Sequence, residues 1–387
     1  MYQVHCLNQI SSKGTELLTQ DYVQTPAAEE AQAILVRSAA MHDMTFSHEL
    51  LAIARAGAGV NNIPLDKAAE QGIVVFNTPG ANANSVVELC LCGMLLGSRD
   101  VVDGINWVQS IRDQDDIAQK VEKGKSKFAG HELAGKSLGV IGLGAVGGPV
   151  ANAARRLGMT VYGCDPFISI DAAWHLDSNI IKVNSREEIY QKCDMITLHT
   201  PLLPDTTKMI NREALEKMKD GVVILNFARD LLVDDEAMEE ALRSGKVRRY
   251  ITDFPNQKTA SMAGVIAIPH LGASTQESED KCAMMAVRQV MDYLENGNIV
   301  NSVNYPNCDM GVCTKPGRLV ILHRNIPNSL GQFTSAVAKR NINISDLMNR
   351  SRGAFACTIL DLDTTTPQEL VEDLKKVDGV LRVRRIR

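Results

Sequence analysis

The stretch from Lys136 to Asp165 constrains the fold of this chain more than any other. A short apolar run, Leu138 to Ile141, predicts a buried strand, and it breaks into the glycine turn GLGAVG, which begins at Gly142. A helix rich in small residues follows, and a second apolar run ends on Asp165. The order of strand, glycine turn, helix, strand and carboxylate predicts one βαβ unit of a parallel sheet.

Each glycine of this turn has a physical role in binding a dinucleotide. Gly142 permits the tight turn, Gly144 lets the backbone approach a pyrophosphate, and Gly147 lets the helix pack closely against the strand. The pyrophosphate would lie at the helix N-terminus, where free N–H groups favour negative charge. Asp165 would accept hydrogen bonds from the adenosine ribose and repel a 2′-phosphate. The pattern therefore predicts a Rossmann domain that binds NAD rather than NADP.

The composition is that of an ordinary globular protein and argues against several other classes. Hydrophobic residues make up 45% of the chain, charged residues make up 22%, and the net charge is −5. That charge argues against general nucleic-acid binding, and no apolar stretch has the length of a membrane span. The nine cysteines are scattered without metal-site spacing, which predicts reduced thiols in a cytoplasmic protein and no metal site.

Short apolar runs alternate with helical segments on both sides of the βαβ unit, which predicts doubly wound parallel sheets. One long helix, Ser85 to Ile111, is predicted to cross from the first domain to the second. Ligands of such sheets bind beyond the carboxyl ends of the strands. The candidate strands are Val4–Leu7, Ala33–Val36, Leu51–Ala54, Ile73–Phe76, Asp194–Leu198, Val222–Asn226, Tyr250–Asp253 and Val265–Ile268.

The C-terminal part of the chain has a different order of elements: strand, helix, two strands, helix, strand. This order predicts a small ferredoxin-like βαββαβ module. We therefore predict a substrate-binding domain of residues 1–92 and 280–303 and a Rossmann domain of residues 93–279. A linker of residues 304–316, rich in Pro, Gly and Cys, would lead to the module of residues 317–387.

Two residues at predicted strand ends carry the chemistry that the sequence suggests. His270 stands in IPHLGAST and Arg229 in ILNFARD. A histidine exchanges protons near neutral pH, and an arginine binds a carboxylate through two hydrogen bonds. Together they suit hydride exchange between nicotinamide and a 2-hydroxy acid. Each residue taken alone also has a structural explanation, as a histidine that caps a loop or as one half of a surface salt bridge.

The chain resembles the D-2-hydroxyacid dehydrogenases over nearly its whole length. The matching segments are VRSAA, RAGAGVNNI, NTPGANANSVVEL, the glycine turn, HTPLLPDTT, NFAR and PHLGAST, of which HTPLLP and PHLGAST are the most specific. The resemblance implies that Arg229 and His270 are catalytic. It also implies that the NAD site is lined by Thr78, Gly142, Gly144, Ala145, Val146, Gly147, Asp165, Thr200, Phe227, Ala228 and Asp253.

Within this family the resemblance is to the members that oxidise 3-phosphoglycerate in the first step of L-serine biosynthesis, and it implies that substrate. Ala58 and Gly59 would present backbone N–H groups to the substrate carboxylate, and the candidates for its phosphate are Arg55, Arg37 and Lys127. One alternative is a glyoxylate or hydroxypyruvate reductase. Another is an NAD-sensing corepressor, which binds peptide motifs and needs no C-terminal module.

The C-terminal module resembles an ACT domain, in which two modules bind an amino acid between them. The matching positions are His323, Asn325 and Asn343, and Asn328 stands where the family has a glycine. The resemblance implies L-serine as an effector and a homodimer or homotetramer as the assembly. A module that dimerises and binds nothing is the alternative.

The chain departs from the family beside His270. In the family, a glutamate a few residues beyond the Asp253 position hydrogen-bonds the catalytic histidine. Here the segment DFPNQKTASMAGVIAIPH contains no acid other than Asp253, and Lys258 falls near the place of the missing glutamate. Glu277 is a candidate replacement, and otherwise we expect a histidine without an acidic partner.

Overall fold

The computed structural model describes residues 1–386 as two compact units. The first unit contains Met1–Asn82 together with the chain from Gln276 onward, and the second contains Ala83–Thr275. Each unit is built around a parallel sheet, and the first unit also contains an antiparallel sheet. This arrangement confirms the predicted fold class of two α/β sheets with a small βαββαβ module.

The N-terminal part of the first unit alternates strands and helices. Its elements are β1 (Tyr2–Cys6), α1 (Ser12–Thr15), β2 (Tyr22–Gln24), β3 (Ala33–Val36), β4 (Ala52–Arg55), α2 (Leu65–Glu70) and β5 (Val74–Phe76). They form a parallel sheet in the order β2-β1-β3-β4-β5. Every residue of β3 and β5 is buried, as expected for parallel strands that are covered on both faces.

The second unit contains the glycine turn. Its elements are α3 (Ala83–Ser98), α4 (Val101–Ser110), α5 (Ile117–Gly124), β6 (Ser137–Ile141), α6 (Gly147–Arg156), β7 (Thr160–Cys164), α7 (Ile170–Trp174), β8 (Ile181–Lys182), α8 (Arg186–Lys192), β9 (Met195–Leu198), α9 (Arg212–Glu216), β10 (Val222–Asn226), α10 (Asp235–Ser244), β11 (Val247–Thr252) and β12 (Val265–Ala267). The sheet order is β12-β11-β10-β9-β6-β7-β8, and all pairs are parallel. The chain leaves β6 for β7 on one side and reaches β9 on the other, so the carboxyl end of β6 is the switch point where ligands bind.

The single helix predicted for Ser85–Ile111 is wrong, because the chain bends between α3 and α4. Asp100 stands at the bend, and its Oδ1 accepts hydrogen bonds from Arg248 at 3.3 Å and Arg249 at 3.1 Å. α3 packs closely on the sheet through its glycines. A Cβ atom at Gly97 would lie 2.7 Å from Val223 Cγ1. The ion pairs that form the bend come from residues far away in the sequence, so a local apolar pattern does not reveal it.

The C-terminal part of the first unit begins with a long helix. Its elements are α11 (Gln276–Asn296), β13 (Gly317–Arg324), α12 (Ser329–Ala338), β14 (Ile344–Arg352), β15 (Phe355–Leu362), α13 (Gln368–Lys375) and β16 (Val380–Arg385). The four strands form an antiparallel sheet in the order β14-β15-β13-β16, which is the predicted ferredoxin-like arrangement. In residues 1–386 no helix, α11 included, is apolar over the length needed to cross a bilayer.

Both faces of the antiparallel sheet are covered. On one face Leu319 and Ile321 pack in a cluster with residues of α12 and α13. On the other face Val320 and Leu322 belong to the same buried cluster as Tyr293 of α11. The module therefore shares a hydrophobic core with the rest of the first unit.

The segment predicted as a linker, residues 304–316, is packed and hydrogen-bonded. The Asn304 side chain accepts from Val75 N at 2.9 Å and donates to Ile73 O at 2.9 Å. The buried Tyr305 hydroxyl donates to Ala69 O at 2.7 Å. These contacts hold the first residues of the segment against β5 and α2. We call residues 304–316 the strap.

Candidate active site

The glycine turn at the carboxyl end of β6 has the geometry of a phosphate-binding turn. Gly142 has φ +92°, and a Cβ there would lie 2.6 Å from His199 O. A Cβ at Gly147 would collide with Gly142 O. Nothing lies within 4 Å of a Cβ built at Gly144, so that residue faces open space. The turn thus needs glycine at two positions for its own backbone and leaves room for a ligand at the third.

Asp165, which follows β7, is fixed beside this turn. Its Oδ2 accepts a hydrogen bond from Leu143 N at 2.8 Å, and its Oδ1 accepts one from Phe167 N at 2.9 Å. The carboxylate lines a cavity of about 720 Å³ together with Gly142 and Gly144. Because each carboxylate oxygen can accept a second hydrogen bond, Asp165 remains able to bind the hydroxyls of a ribose.

The lysines of this cavity are already paired with acids. Lys208 Nζ lies 3.0 Å from Asp234 Oδ2, and Lys217 Nζ lies 2.7 Å from Glu213 Oε1. Arg186 donates to Asp205 O at 3.5 Å. A 2′-phosphate would therefore meet the Asp165 carboxylate while the lysines are held by other carboxylates, which favours NAD over NADP.

Two buried polar atoms lack partners at the carboxyl ends of strands in this unit. Thr200 Oγ1 follows β9 and Asp253 Oδ1 follows β11, and neither has a hydrogen-bond partner within residues 1–386. In the first unit, the buried Thr78 Oγ1 likewise has no hydrogen-bond partner within residues 1–386. Buried polar groups without partners are costly, and a polar ligand would satisfy them. Thr200, Asp253 and the glycine turn of the second unit therefore fit a dinucleotide. Ala145 and Val146 belong to the glycine turn, and Phe227 and Ala228 follow β10.

His270 lies beyond β12 and is exposed. Its ring packs on Phe254, with 4.5 Å between ring centroids and 50° between the planes. Neither ring nitrogen has a hydrogen-bond partner in the described part of the chain. Burial raises the pKa of Asp253, and the charges of His270 and then Arg229 act in the opposite direction. Arg229, Asp253 and His270 follow the neighbouring parallel strands β10, β11 and β12. The sequence did not single out Phe254, although an aromatic residue directly after a strand end is a usable signal.

Lys258 does not take the place of the missing glutamate. Its Nζ lies 3.3 Å from Glu239 Oε2 on α10, and its backbone N–H donates to the Asn256 side chain at 2.9 Å. Glu277 belongs to α11, in the first unit. Within the second unit, the contact that orients the His270 ring is therefore the aromatic face of Phe254.

Arg229 and His199 differ in what they offer to a substrate. Arg229 is exposed and donates one hydrogen bond, from Nη1 to Ala228 O at 2.6 Å, so other N–H groups of its guanidinium remain for a ligand. His199 Nε2 lies 2.9 Å from Thr197 Oγ1, and burial lowers the pKa of His199 to about 4. His199 is therefore neutral near pH 7 and is a poor candidate for the proton donor.

The predicted substrate residues fall into two groups. Arg55 ends β4, and its Nε donates to Arg37 O at 3.0 Å. The Arg37 guanidinium is paired with Glu279, at 2.6 Å between Nη2 and Oε1. This pairing makes Arg37 a weaker candidate for binding a phosphate. Ala58 and Gly59 follow in the next loop, where Ala58 O accepts from Asn77 Nδ2 at 2.6 Å. Lys127 lies in the second unit, exposed in the short 3-10 turn Lys125–Phe128.

The three predicted effector residues are each bonded within the C-terminal module. The buried His323 pairs through Nδ1 with Arg324 O at 2.8 Å and through Nε2 with Thr358 Oγ1 at 2.9 Å. Asn325 donates to Gly353 O at 3.2 Å, and Asn343 donates to Asp363 Oδ2 at 2.6 Å. Asn328 has φ +67°, a conformation that asparagine tolerates better than most residues, so it adopts the turn that glycine provides elsewhere.

A parallel sheet with this glycine turn, a ribose-binding acid and a histidine–arginine pair at the same edge defines the class of nicotinamide-dependent oxidoreductases. Residues 103–272 match the family described as D-isomer specific 2-hydroxyacid dehydrogenase, NAD binding domain. The D-3-phosphoglycerate dehydrogenase of Haemophilus influenzae is 31% identical over 350 residues, which cover 87% of this chain and 81% of that protein. The chain therefore belongs to the D-2-hydroxyacid dehydrogenase family.

A second relative differs from this chain in length, and a solved structure shows the same fold. The D-3-phosphoglycerate dehydrogenase of Methanocaldococcus jannaschii is 35% identical over 267 residues, which cover 67% of this chain and 49% of that protein. The chain thus spans only about half of this relative. The crystal structure of NAD⁺-bound 3-phosphoglycerate dehydrogenase from Entamoeba histolytica superposes with a TM-score of 0.61 at 27% identity, covering 78% of this chain and 98% of that one.

Proposed function

We propose that this protein is an NAD-dependent dehydrogenase that oxidises 3-phosphoglycerate to 3-phosphohydroxypyruvate, the first step of L-serine biosynthesis. The observation that carries the proposal is that Arg229, Asp253 and His270 follow neighbouring parallel strands of one sheet, where the buried Asp253 Oδ1 has no hydrogen-bond partner within residues 1–386. The names of the relatives supply the substrate. An assay that follows NADH absorbance with 3-phosphoglycerate, glyoxylate and hydroxypyruvate tests it, and turnover of the last two alone would favour a reductase.

The residues divide the chemistry between binding and proton transfer. The glycine turn and Asp165 would hold NAD, which would supply the hydride acceptor for C2 of the substrate. Arg229 binds the substrate carboxylate and the developing carbonyl oxygen through its remaining N–H groups. His270 accepts the hydroxyl proton in oxidation and returns it in reduction. The resemblance to the family further implies that backbone N–H groups of Ala58 and Gly59 bind the carboxylate.

We expect cofactor preference to depend on Asp165. The Asp165→Asn variant keeps an oxygen that accepts from one of the two backbone N–H groups, but it loses the charge that repels a 2′-phosphate. A charge-assisted contact is worth about 1.5–3 kcal/mol, so the ratio of kcat/KM for NAD to that for NADP should fall about ten- to a hundredfold. Asp171→Asn, an exposed change in α7, is the control. Equal kcat/KM for the two cofactors in the unmodified protein would contradict the assignment.

Arg55 is the better candidate of the two arginines for binding the substrate phosphate, because the Arg37 guanidinium is already paired with Glu279. Arg55→Ala should raise KM for 3-phosphoglycerate about ten- to a hundredfold through the loss of a charge-assisted contact. KM for D-glycerate, which lacks the phosphate, should change far less. Lys13→Ala, an exposed cation of α1, should leave both values unchanged. Equal losses for the two substrates would show that Arg55 does not read the phosphate.

The proposed assembly is a homodimer or homotetramer, and α4 supports it. No residue of α4 is buried, although Val101, Ile105 and Val108 recur at helical spacing and are 46%, 51% and 39% exposed. An apolar helix face of this kind usually marks an interface between proteins. The molar mass in solution, compared between the native chain and Ile105→Asp, tests this proposal.

L-serine is the proposed effector of the C-terminal module, as the resemblance to ACT domains implies. Titration calorimetry should use the full chain, because Val320 and Leu322 pack into the core that the module shares with α11. We expect heat from L-serine that is lost in Asn325→Ala and kept in Lys376→Ala. If neither L-serine nor glycine produces heat, the alternative of a module that dimerises and binds no amino acid is favoured.

We also propose a cytoplasmic location. All nine cysteines are free thiols, and seven of them are buried. A protein with this many buried, unpaired thiols suits a reducing compartment.

A further inference from the structure

A polar cleft of about 530 Å³ lies within the first unit, where the end of β14 faces two other segments. One segment follows β5 and contains Asn77 and Pro79. The other joins α11 to the C-terminal module and contains Asn301 and Asn307. Arg350 and Arg352 of β14 complete the lining. The predicted active-site and effector residues are absent from this lining, so the cleft is a separate feature of the molecule.

Strand geometry places both arginines on the same side of the sheet. Side chains alternate along a strand, so Met348, Arg350 and Arg352 share a face. Met348 packs against the core that the module shares with α11, which identifies the face. Asn349, on the opposite face, accepts from Thr358 Oγ1, the hydroxyl that also bonds His323. The arginines therefore lie on the face away from the predicted effector histidine.

The cleft carries positive charge that no acid balances. Its lining contains two arginines and no aspartate or glutamate. Arg352 Nη1 donates to Ser302 O at 2.8 Å, which anchors the side chain and leaves other N–H groups unused. Within residues 1–386, Arg350 makes neither a hydrogen bond nor an ion pair. Two neighbouring guanidinium groups repel each other, and an anion between them would relieve that cost.

Amide groups add neutral donors to the same cleft. Asn307 Oδ1 accepts from Asn301 N at 3.0 Å, so the NH₂ group of Asn307 is turned to other partners. The Asn301 side chain has no hydrogen-bond partner among the described residues. Two guanidinium groups and two carboxamides supply more donors than a single carboxylate can use. The set suits a tetrahedral dianion with several acceptor oxygens.

We propose that this cleft binds a phosphoryl dianion, either inorganic phosphate or the phosphate group of a small metabolite. Asn77 and Pro79 flank Thr78, whose buried hydroxyl has no hydrogen-bond partner within residues 1–386 and which the family resemblance implies in cofactor binding. Occupation of the cleft would thus fix the segment that carries Thr78. Any effect of the bound anion on cofactor binding through Thr78 rests on the proposed function, whereas the binding of the anion in the cleft does not.

Equilibrium dialysis of the full chain with radiolabelled phosphate at low ionic strength tests the site without turnover. The native chain should bind one more phosphate per chain than Arg350→Gln/Arg352→Gln. Arg55→Gln should keep this site, because Arg55 belongs to the proposed substrate site. Lys315→Gln/Lys339→Gln, which removes two exposed cations of the same C-terminal region, should also keep it. Equal phosphate binding by the native chain and the Arg350→Gln/Arg352→Gln variant would overturn the proposal.

A milder variant guards against misfolding. Arg350→Lys keeps the charge and loses the two-pronged geometry, so Kd for phosphate should rise about tenfold while thermal unfolding stays unchanged. An unchanged Kd in a folded Arg350→Lys variant would also count against the site. Competition for bound phosphate in the Arg55→Gln variant distinguishes inorganic phosphate from a phosphorylated metabolite as the ligand of the cleft. Displacement of phosphate by 3-phosphoglycerate or O-phosphoserine would assign the site to a phosphorylated metabolite, and no displacement would assign it to free phosphate.

Discussion

His270→Ala is expected to lose oxidation and reduction together, by about a hundred- to ten-thousandfold in kcat, the usual contribution of a general acid–base residue. His199, the other histidine at a strand end, is held neutral by burial and bonded to Thr197, so it cannot replace His270. His131→Ala, an exposed histidine of the same unit, is the matched control. Stopped-flow measurement of NADH formation and consumption checks both directions. Activity above a tenth of the native value would contradict the assignment.

Phe254 offers a second and smaller test of the same site. Its ring holds the imidazole by packing, since no hydrogen bond within residues 1–386 does so. Phe254→Leu should therefore lower kcat by less than His270→Ala and leave KM for NAD close to the native value. Phe254→Tyr keeps the aromatic face and should restore kcat. If Phe254→Leu and Phe254→Tyr behave alike, the aromatic face is not what orients His270.

Much of the sheet architecture could be predicted, because the strands of a buried parallel sheet appear in the sequence as short apolar runs. The predicted bounds of Ala33–Val36 and Val222–Asn226 coincide with β3 and β10. Carboxyl ends of parallel strands meet at one sheet edge, so residues that follow the runs, among them Arg229 and His270, could be placed at one edge before any contact was known. By contrast, the strand β2 (Tyr22–Gln24) was missed, because two of its three residues are exposed.

The features that could not be predicted depend on contacts between distant residues. The bend at Asp100 depends on Arg248 and Arg249, and the neutralisation of Arg37 depends on Glu279. No local pattern contains these partners. The contact between Phe254 and His270 is of the same kind, because the two residues follow different strands.

The buried ion pair between Arg318 of β13 and Asp361 of β15 is another such contact, and the same guanidinium also reaches the segment that precedes the C-terminal module. The Arg318 side chain is 1% exposed and donates to both Asp361 oxygens, from Nε at 2.6 Å and from Nη2 at 2.8 Å. Its Nη1 donates to Asn296 O at 3.1 Å and Gly311 O at 2.7 Å. One guanidinium thus ties together the end of α11, the strap and strand β15.

Asp361→Ala is expected to lower the free energy of unfolding by about 3–5 kcal/mol, because it leaves the Arg318 charge buried without its partner. Urea unfolding followed by circular dichroism measures this. Tryptophan fluorescence does not, since Trp107 and Trp174 both lie in the second unit. Asp373→Ala, which breaks the exposed pair with Arg340, should cost less than about 1 kcal/mol.

The double variant Arg318→Met/Asp361→Leu separates the cost of a stranded charge from the value of the pair. Both charges are then absent, and apolar groups fill the space between β13 and β15, so the double variant should be more stable than Asp361→Ala alone. Some loss should remain, because Asn296 O and Gly311 O lose their donor. A double variant as unstable as Asp361→Ala would show that the stranded charge is not the cause.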